Sequence, residues 1–246
     1  MSILWNSIFY QPIYNSLIFI INNITFGDVG LAIILATIII KLALSPLTRK
    51  SIKSQILMKK MEPELKQIKK DYPNKEEQSK KTFELYKKYG TNPFSGCLVI
   101  LIQIPFIFAL YYVFYKGLSF DPKLVYHFIK IPTTLNTNFL GLIQMHDKSL
   151  LLAILAGISQ FIQAHLSTPI KPKTEIVKDF DKKEKKSFQE ELSSSMQTNV
   201  KYILPIFIIF IAYKINAAVA LYWVTSNIFT IIQEHRIRKS IEEKVV

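Results

Sequence analysis

The residues of this chain best suited to chemistry are polar groups set inside long apolar segments. Lys41 interrupts an apolar stretch over residues 29–47, seven residues before Thr48, which is about 10 Å along a helix. A cation at that depth in a membrane costs at least about 2.5–3.5 kcal/mol unless it is hydrated or paired. Lys41 therefore indicates either a wetted site that attracts carboxylates or a side chain that snorkels to the membrane surface.

Neutral polar and aromatic residues in the other apolar segments are the further candidates for such a site. After Asp28, no acidic residue lies inside the apolar runs, the last of which ends at Gln233, so no intramembrane ion pair is expected for Lys41. Each neutral residue alone could simply hold helices together, but together they favour a hydrophilic groove centred on Lys41. The candidates are Thr37, Gln103, Gln160, Gln163, Tyr222, Trp223, Ser226 and Asn227.

Long apolar segments predict an all-α membrane protein with five transmembrane helices. Segments of about 17–25 apolar residues cross a hydrocarbon core, and they are expected at residues 28–48, 94–116, 149–166, 200–213 and 217–235. The last two are short and are separated only by Lys214, Ile215 and Asn216. A single bent span over both is the alternative.

The distribution of basic residues predicts the orientation. Lys and Arg number 13 in residues 49–93, 7 in residues 167–199 and 4 after Gln233, against 4 in the segments on the opposite side. Positively charged loops stay in the cytoplasm, so the N-terminus is predicted outside and the C-terminus inside. This arrangement requires an odd number of spans.

The segments between the spans have distinct predicted structures. Residues 1–27 are too polar to cross and predict an interfacial helix on the outer face, and residues 117–148 form an external loop. Residues 49–93 predict a basic helical hairpin broken at Tyr72-Pro73-Asn74, either a solvated linker or a surface for headgroups, RNA or an incoming chain. Residues 167–199 alternate Lys with Asp and Glu, which favours a mobile cytoplasmic loop. Residues 236–246 are a cytoplasmic tail.

Catalytic and metal-binding constellations are not evident in the sequence. The four histidines (His127, His146, His165 and His235) fall in loops or at helix ends, Cys97 is the only cysteine, and seven glycines offer no phosphate-binding loop. We therefore expect no enzyme, no cofactor, no metal and no small-molecule substrate. A channel or transporter is the competing function, and it predicts a polar path open to both faces.

Three motifs closely resemble the YidC/Oxa family of membrane protein insertases. They are TIIIKLALSPLTRKSIKSQILMKKM (residues 37–61), ELYKKYGTNPFSGCLVILIQIPFIFALYYVF (84–114) and LYWVTSNIFTIIQ (221–233). The family has an intramembrane basic residue before a Pro-Leu turn, then a basic hairpin, and an SN-x-x-x-x-x-Q signature in the last span. Two positions depart from its pattern: Lys41 stands where Arg is usual, and Val99 where Pro is frequent.

This resemblance implies a bacterial inner-membrane insertase and chaperone that works without nucleotide hydrolysis. Its groove, centred on Lys41, would open to the cytoplasm and sideways to lipid. Clients would slide along the second and fourth spans and meet the last span near Tyr222 and Trp223. The implied partners are newly made membrane proteins, the lipid bilayer, the Sec translocon and the ribosome.

Overall fold

The computed structural model describes residues 5–92, 95–115, 120–167 and 199–242. It is mainly helical. The predicted mobile loop at residues 167–199 falls almost entirely outside the described residues, as do Cys97's surroundings. The helices are α1 (Gln11–Asn23), α2 (Val29–Ala43), α3 (Ser45–Asp71), α4 (Lys75–Lys88), α5 (Ser95–Tyr115), α6 (Leu150–Ser167), α7 (Leu204–Lys214) and α8 (Ala217–Glu242). Short π-helical turns, Asn6–Tyr10 and Asn199–Ile203, precede α1 and α7.

The first predicted span ends earlier than its apolar pattern indicates. Helix α2 stops at Ala43 rather than continuing to residue 48, and the axis of α3 is turned by 60° from that of α2. Pro46 explains the break, because it has no N–H to donate to the carbonyl of the preceding turn and its ring clashes there. Lys41 consequently lies in the last turn of α2.

The predicted basic hairpin is present as α3 and α4. Tyr72 is extended after α3, and the side chain of Asn74 accepts a hydrogen bond from the N–H of Glu76 at 3.0 Å to begin α4. Glu64 on α3 accepts hydrogen bonds from the hydroxyl of Tyr89 and from Lys88, the latter at 3.0 Å. These contacts fasten the C-terminal end of α4 to α3.

A small β-hairpin, absent from the all-α prediction, lies between α5 and α6. Strands β1 (Asn138–Phe139) and β2 (Ile143–Gln144) pair in antiparallel register, and the turn places Leu140 and Gly141 at φ 53° and 71°. Positive φ at both central residues is the turn that matches the twist of two short strands. Two residues per strand leave almost no periodic signal in the sequence.

The chain segment around this hairpin closes one end of the helical bundle. Backbone carbonyls of Asp147 and Met145 accept hydrogen bonds from the first N–H groups of α8 at 2.7 and 3.0 Å. Asn136 does the same for Val29 at the start of α2, at 3.0 Å. Helix N-termini leave such donors unpaired, so this segment completes both helices.

Helix α1 is fastened to the same end of the bundle. The side chain of Asn15 donates to the carbonyl of Leu124 at 2.9 Å and accepts from the N–H of Tyr126 at 2.7 Å. Leu17 and Ile18 are buried in the main core with residues of α2, α5, α6 and α8. Residues predicted to lie on the membrane surface thus pack tightly at one end of the fold.

Large apolar side chains cover the outside of the bundle. Examples at least 40% exposed are Leu31, Ile39, Ile104, Phe108, Leu151, Ile158, Ile206, Phe210, Ile228 and Ile232. An exposed apolar surface of this extent would aggregate in water. It fits a bundle surrounded by lipid.

Length and hydropathy identify few complete crossings among the described helices. Helix α6 is long and apolar enough to cross a membrane by itself, and α2 with Ser45–Ile68 would pass as one span only with its 60° bend. Helix α7 has 11 residues, and Ile215 (φ −101°, ψ 176°) separates it from α8. The five predicted crossings therefore stay a prediction.

Gly30 provides a test of the closed end of the bundle. A Cβ at this position would lie 2.2 Å from Phe139 Cδ2 and 2.9 Å from Phe139 Cβ, so the whole ring would have to move. We expect Gly30→Ala to destabilise the protein by about 1–3 kcal/mol through overpacking, seen as a lower midpoint of thermal unfolding in detergent. Phe139→Ala should remove much of the additional penalty in the double variant, and strict additivity of the two effects would contradict the contact.

The hairpin contacts predict a pH effect. The hydrogen bonds from Tyr89 and then Lys88 lower the pKa of Glu64 from its ordinary value of 4.5. Because the folded-state pKa is depressed, this stabilisation is present above pH 4.5 and is lost as the pH falls through the lowered value. The protection of α4 amides against hydrogen exchange, measured relative to the intrinsic exchange rate at each pH, should then fall in acid. Glu64→Gln should remove that pH dependence, whereas Glu77→Gln should retain it.

Candidate functional site

Three neighbouring groups each stabilise part of the positive charge of Lys41. The last turn of α2 places it near unpaired carbonyl groups, the negative end of the helix dipole. Its Nζ donates a hydrogen bond to Thr230 Oγ1 of α8 at 3.0 Å. Glu234, also on α8, interacts with it electrostatically through space. Within the described residues, no carboxylate forms a direct ion pair with Lys41.

Lys41 belongs to a group that we call the inner polar cluster: Lys41, Gln103, Ser226 and Thr230. Gln103 Nε2 on α5 donates to Ser226 Oγ at 3.1 Å, and Thr230 Oγ1 donates to the carbonyl of Ser226 at 2.8 Å. The cluster therefore joins α2, α5 and α8. It brings together three of the residues predicted from sequence and adds Thr230.

A second set, the terminal polar chain, comprises Gln160, Gln163, Ser167, Glu234 and Arg238. Gln160 donates to Gln163 at 3.0 Å, Gln163 to Ser167 at 2.9 Å, and Ser167 to Glu234 Oε2 at 2.6 Å. Arg238 lies 3.9 Å from that same carboxylate oxygen and donates to the Ser167 carbonyl at 3.0 Å. The chain ties the end of α6 to α8.

Sequence reasoning missed Glu234, whose negative charge is part of the electrostatics of the site. Glu234 follows the apolar run that ends at Gln233, and its charge was counted with the charges of the cytoplasmic tail, yet only 8% of the residue is exposed. The sequence does contain a signal. Polar residues recur every four positions on α8, which places them along one face of a helix: Tyr222, Ser226, Thr230, Glu234 and Arg238.

The other predicted residues take structural positions. Thr37 is buried and its hydroxyl donates to the carbonyl of Ile33 in its own helix at 2.6 Å. Asn227 is buried and donates to Ser159 Oγ at 3.1 Å, joining α8 to α6. The Asn227 contact is of the kind that holds helices together, whereas the Thr37 bond stays within α2.

Tyr222 and Trp223 differ in exposure. Tyr222 is 2% exposed and its ring packs on Phe106 with centroids 4.9 Å apart. Trp223 is only partly buried against the core. Of the two aromatic candidates for contact with another chain, Trp223 is the accessible one.

The arrangement can bind an anionic group. An ammonium carries three N–H donors, and within the described residues the Lys41 ammonium uses one, toward Thr230. No group of three His, Cys, Asp or Glu residues that could hold a metal occurs in residues 5–92, 95–115, 120–167 and 199–242. Water or a carboxylate can accept hydrogen bonds from the two remaining donors.

Comparisons with known proteins agree on one family. A family model described as the 60Kd inner membrane protein matches residues 20–244. A protein named membrane protein insertase YidC from Fusobacterium nucleatum is 33% identical over 237 residues, which cover 95% of this chain and 98% of the relative. One of the same name from Oceanobacillus iheyensis is 32% identical over 251 residues, covering 98% of this chain and 86% of the relative.

A solved structure shares the fold. It is described as the active YidC insertase with its first transmembrane domain resolved, and it superposes with a TM-score of 0.54 at 22% identity. The match covers 94% of this chain and 46% of the solved chain, so this protein spans about half the length of that one.

Asn227 tests which predicted polar residues are structural. Asn227→Ala removes the bond between α8 and α6 and should lower stability by about 1–3 kcal/mol, since Ala leaves Ser159 and neighbouring polar groups without this partner. Thr225→Val is the matched control, because among the described residues the Thr225 hydroxyl bonds within its own helix, to Leu221 at 2.9 Å. Equal thermal unfolding midpoints for the two variants in detergent would contradict this assignment.

Proposed function

Because the chain belongs to the 60Kd inner membrane protein family, that of the YidC insertases, we propose that it inserts transmembrane segments of client proteins into the bacterial inner membrane and helps them fold. The observation that carries the proposal is an intramembrane cation, Lys41, that donates to Thr230 of α8 beside the Gln103–Ser226 contact between α5 and α8. It lies within a sequence similar to insertases along almost its whole length.

The proposed architecture has five crossings, with the N-terminus outside and the C-terminus in the cytoplasm. Its support is the excess of Lys and Arg in residues 49–93, 167–199 and 236–246. The exposed apolar faces of the bundle agree with lipid on several sides. Helices α7 and α8 are separate and both pack on α6, which favours two crossings there over one bent span.

A one-sided groove is the proposed working element. Lys41, Thr230, Glu234 and Arg238 lie toward the ends of α2 and α8 that lead to basic segments, the proposed cytoplasmic side. The opposite ends of these helices are packed: Val29, Ala32, Ala217 and Val219 are fully buried. A channel needs a polar path to both faces, so the packed outer end favours an insertase.

An incoming client would use this groove in two ways. Acidic residues of its tail would approach the free donors of Lys41, and its apolar segment would meet lipid at the side. A polar site in the membrane lowers the cost of moving the hydrophilic tail. Trp223 is our candidate for direct contact with the client, whereas Tyr222 would hold α8 in place against Phe106.

Completion requires no nucleotide in this mechanism. Transfer of an apolar segment into lipid is favourable in proportion to its buried area. A membrane potential negative inside drives acidic residues outward by about 2.3 kcal/mol per charge per 100 mV. The basic hairpin and the end of α8 are proposed contacts for the ribosome, and the Sec translocon is a proposed partner.

Lys41 provides the test of this mechanism. An insertase-depleted bacterium would be complemented with wild type, Lys41→Arg, Lys41→Ala or Lys41→Glu, and insertion of a short client with an acidic tail would be mapped by protease protection. We expect wild type and Lys41→Arg to insert the client and the Ala and Glu variants to lose about tenfold or more, since they remove or reverse the attracting charge.

Two further outcomes separate the mechanism from the function. Equal insertion by all four proteins would leave the insertase assignment standing but would eliminate the electrostatic role of Lys41. Failure of the wild-type chain itself, at verified expression in the membrane, would contradict the proposed function.

A further inference from the structure

The carboxylate of Glu234 is the one feature of the site that neither the apolar pattern nor the mechanism above uses. It is 8% exposed, and it follows directly on the last apolar segment. Burying an isolated carboxylate is costly, so its neighbours must compensate its charge. Those neighbours are positively charged on both sides along α8.

On the N-terminal side of Glu234 along α8, the charged neighbour is Lys41 of α2. Thr230, which accepts the hydrogen bond from Lys41 at 3.0 Å, lies four residues before Glu234. Residues four apart lie on the same helix face, about 6 Å apart. The Glu234 carboxylate is thus about one helical turn from the contact point of the Lys41 ammonium.

On the C-terminal side of Glu234 along α8, the neighbours are Arg238 and Ser167. Ser167 donates to Glu234 Oε2 at 2.6 Å, and Arg238 lies 3.9 Å from the same oxygen. Arg238 also donates to Gln55 of α3 at 3.4 Å, and its Nε is buried without a partner among the described residues. Charges therefore alternate along this face as plus, minus and plus.

We propose that Glu234 is a resident counter-charge for Lys41, which competes with the acidic tail of a client and so sets the charge preference and release of that tail. The inference rests on the proposed insertase function. In the absence of a client, Glu234 stabilises the ammonium. When a client carboxylate reaches Lys41, it faces repulsion from Glu234, which keeps the complex weak enough to dissociate.

This role makes a directional prediction for client charge. Glu234→Gln keeps an oxygen that can accept the Ser167 hydrogen bond but removes the competing charge. Capture of acidic tails should then strengthen relative to neutral tails, while basic tails should be disfavoured. The full effect should require Lys41.

The experiment uses the purified full chain in liposomes and single-span clients whose N-terminal tails carry charges of about −2, 0 or +2. Insertion is measured by protease protection for wild type, Glu234→Gln, Lys41→Gln and the double variant. We expect Glu234→Gln to raise the ratio of acidic-tail to neutral-tail insertion by about three- to tenfold, since one unit charge at this separation in a partly wetted site acts on that scale.

Matched controls separate the local effect from net charge and from folding. Glu62→Gln makes the same change in net charge, but on the exposed hairpin, where Glu62 pairs with Lys66 at 3.5 Å; its ratio should equal that of wild type. Glu234→Asp retains the charge and should keep a wild-type ratio. In the Lys41→Gln background, Glu234→Gln should raise the ratio of acidic-tail to neutral-tail insertion less than it does beside Lys41.

Several results would overturn the inference. One is that Glu234→Gln leaves the ratio of acidic-tail to neutral-tail insertion unchanged. A second is that Glu234→Gln changes this ratio equally in the wild-type and Lys41→Gln backgrounds. Another is loss of insertion for every tail in both Glu234 variants, which would show a purely structural role. The proposed function itself fails in a different arm: wild type would insert none of the clients above the level of empty liposomes.

Discussion

The cost of holding an ammonium group inside an apolar helix is the constraint on which the site depends. At least about 2.5–3.5 kcal/mol must be recovered, and no single neighbour recovers it. The end of α2 at Ala43 supplies helix carbonyls, Thr230 supplies a hydroxyl and Glu234 a charge one turn further along α8. Each contribution is partial, so Lys41 is stabilised without being neutralised by a direct ion pair in the described part of the chain.

The rest of the fold separates two ends of the helical bundle. One end is closed by packed residues, and we call it the dry end; the other, the polar end, holds Lys41 and its polar neighbours. At the dry end, backbone bonds from the segment around β1 and β2 complete the N-termini of α2 and α8, and Phe139 fills the space beside Gly30. At the polar end, the inner polar cluster and the terminal polar chain bond α2, α5, α6 and α8 to one another through side chains. Side-chain bonds can exchange with water or a client more readily than packed backbone can, so the opening is expected at the polar end.

The helices could be predicted from the sequence because they depend on local pattern, whereas the role of Lys41 stays a prediction. Hydropathy located the helical segments, the Tyr72-Pro73-Asn74 break located the hairpin, and Lys41 was conspicuous because it interrupts an apolar run. The end of α2 was placed too late because hydropathy continues past the break that Pro46 imposes. Glu234 was missed because segment boundaries treat the first charge as the start of water, whereas its burial depends on Ser167 and Arg238, which are distant or later in sequence.

These neighbours give a physical reason for an ammonium group at position 41, where the resemblance to the YidC/Oxa family implies a guanidinium. A guanidinium has a planar fork of five donors that engages a carboxylate bidentately, whereas an ammonium is a compact charge with three rotatable donors. Beside Glu234, an Arg could engage the carboxylate with two donors, so a client carboxylate would compete with a stronger resident pair than Lys41 forms. Lys41 instead bonds Thr230 and keeps donors for exchange. An insertase must release each client, and for that purpose a weakly compensated point charge is better suited than a rigid ion pair.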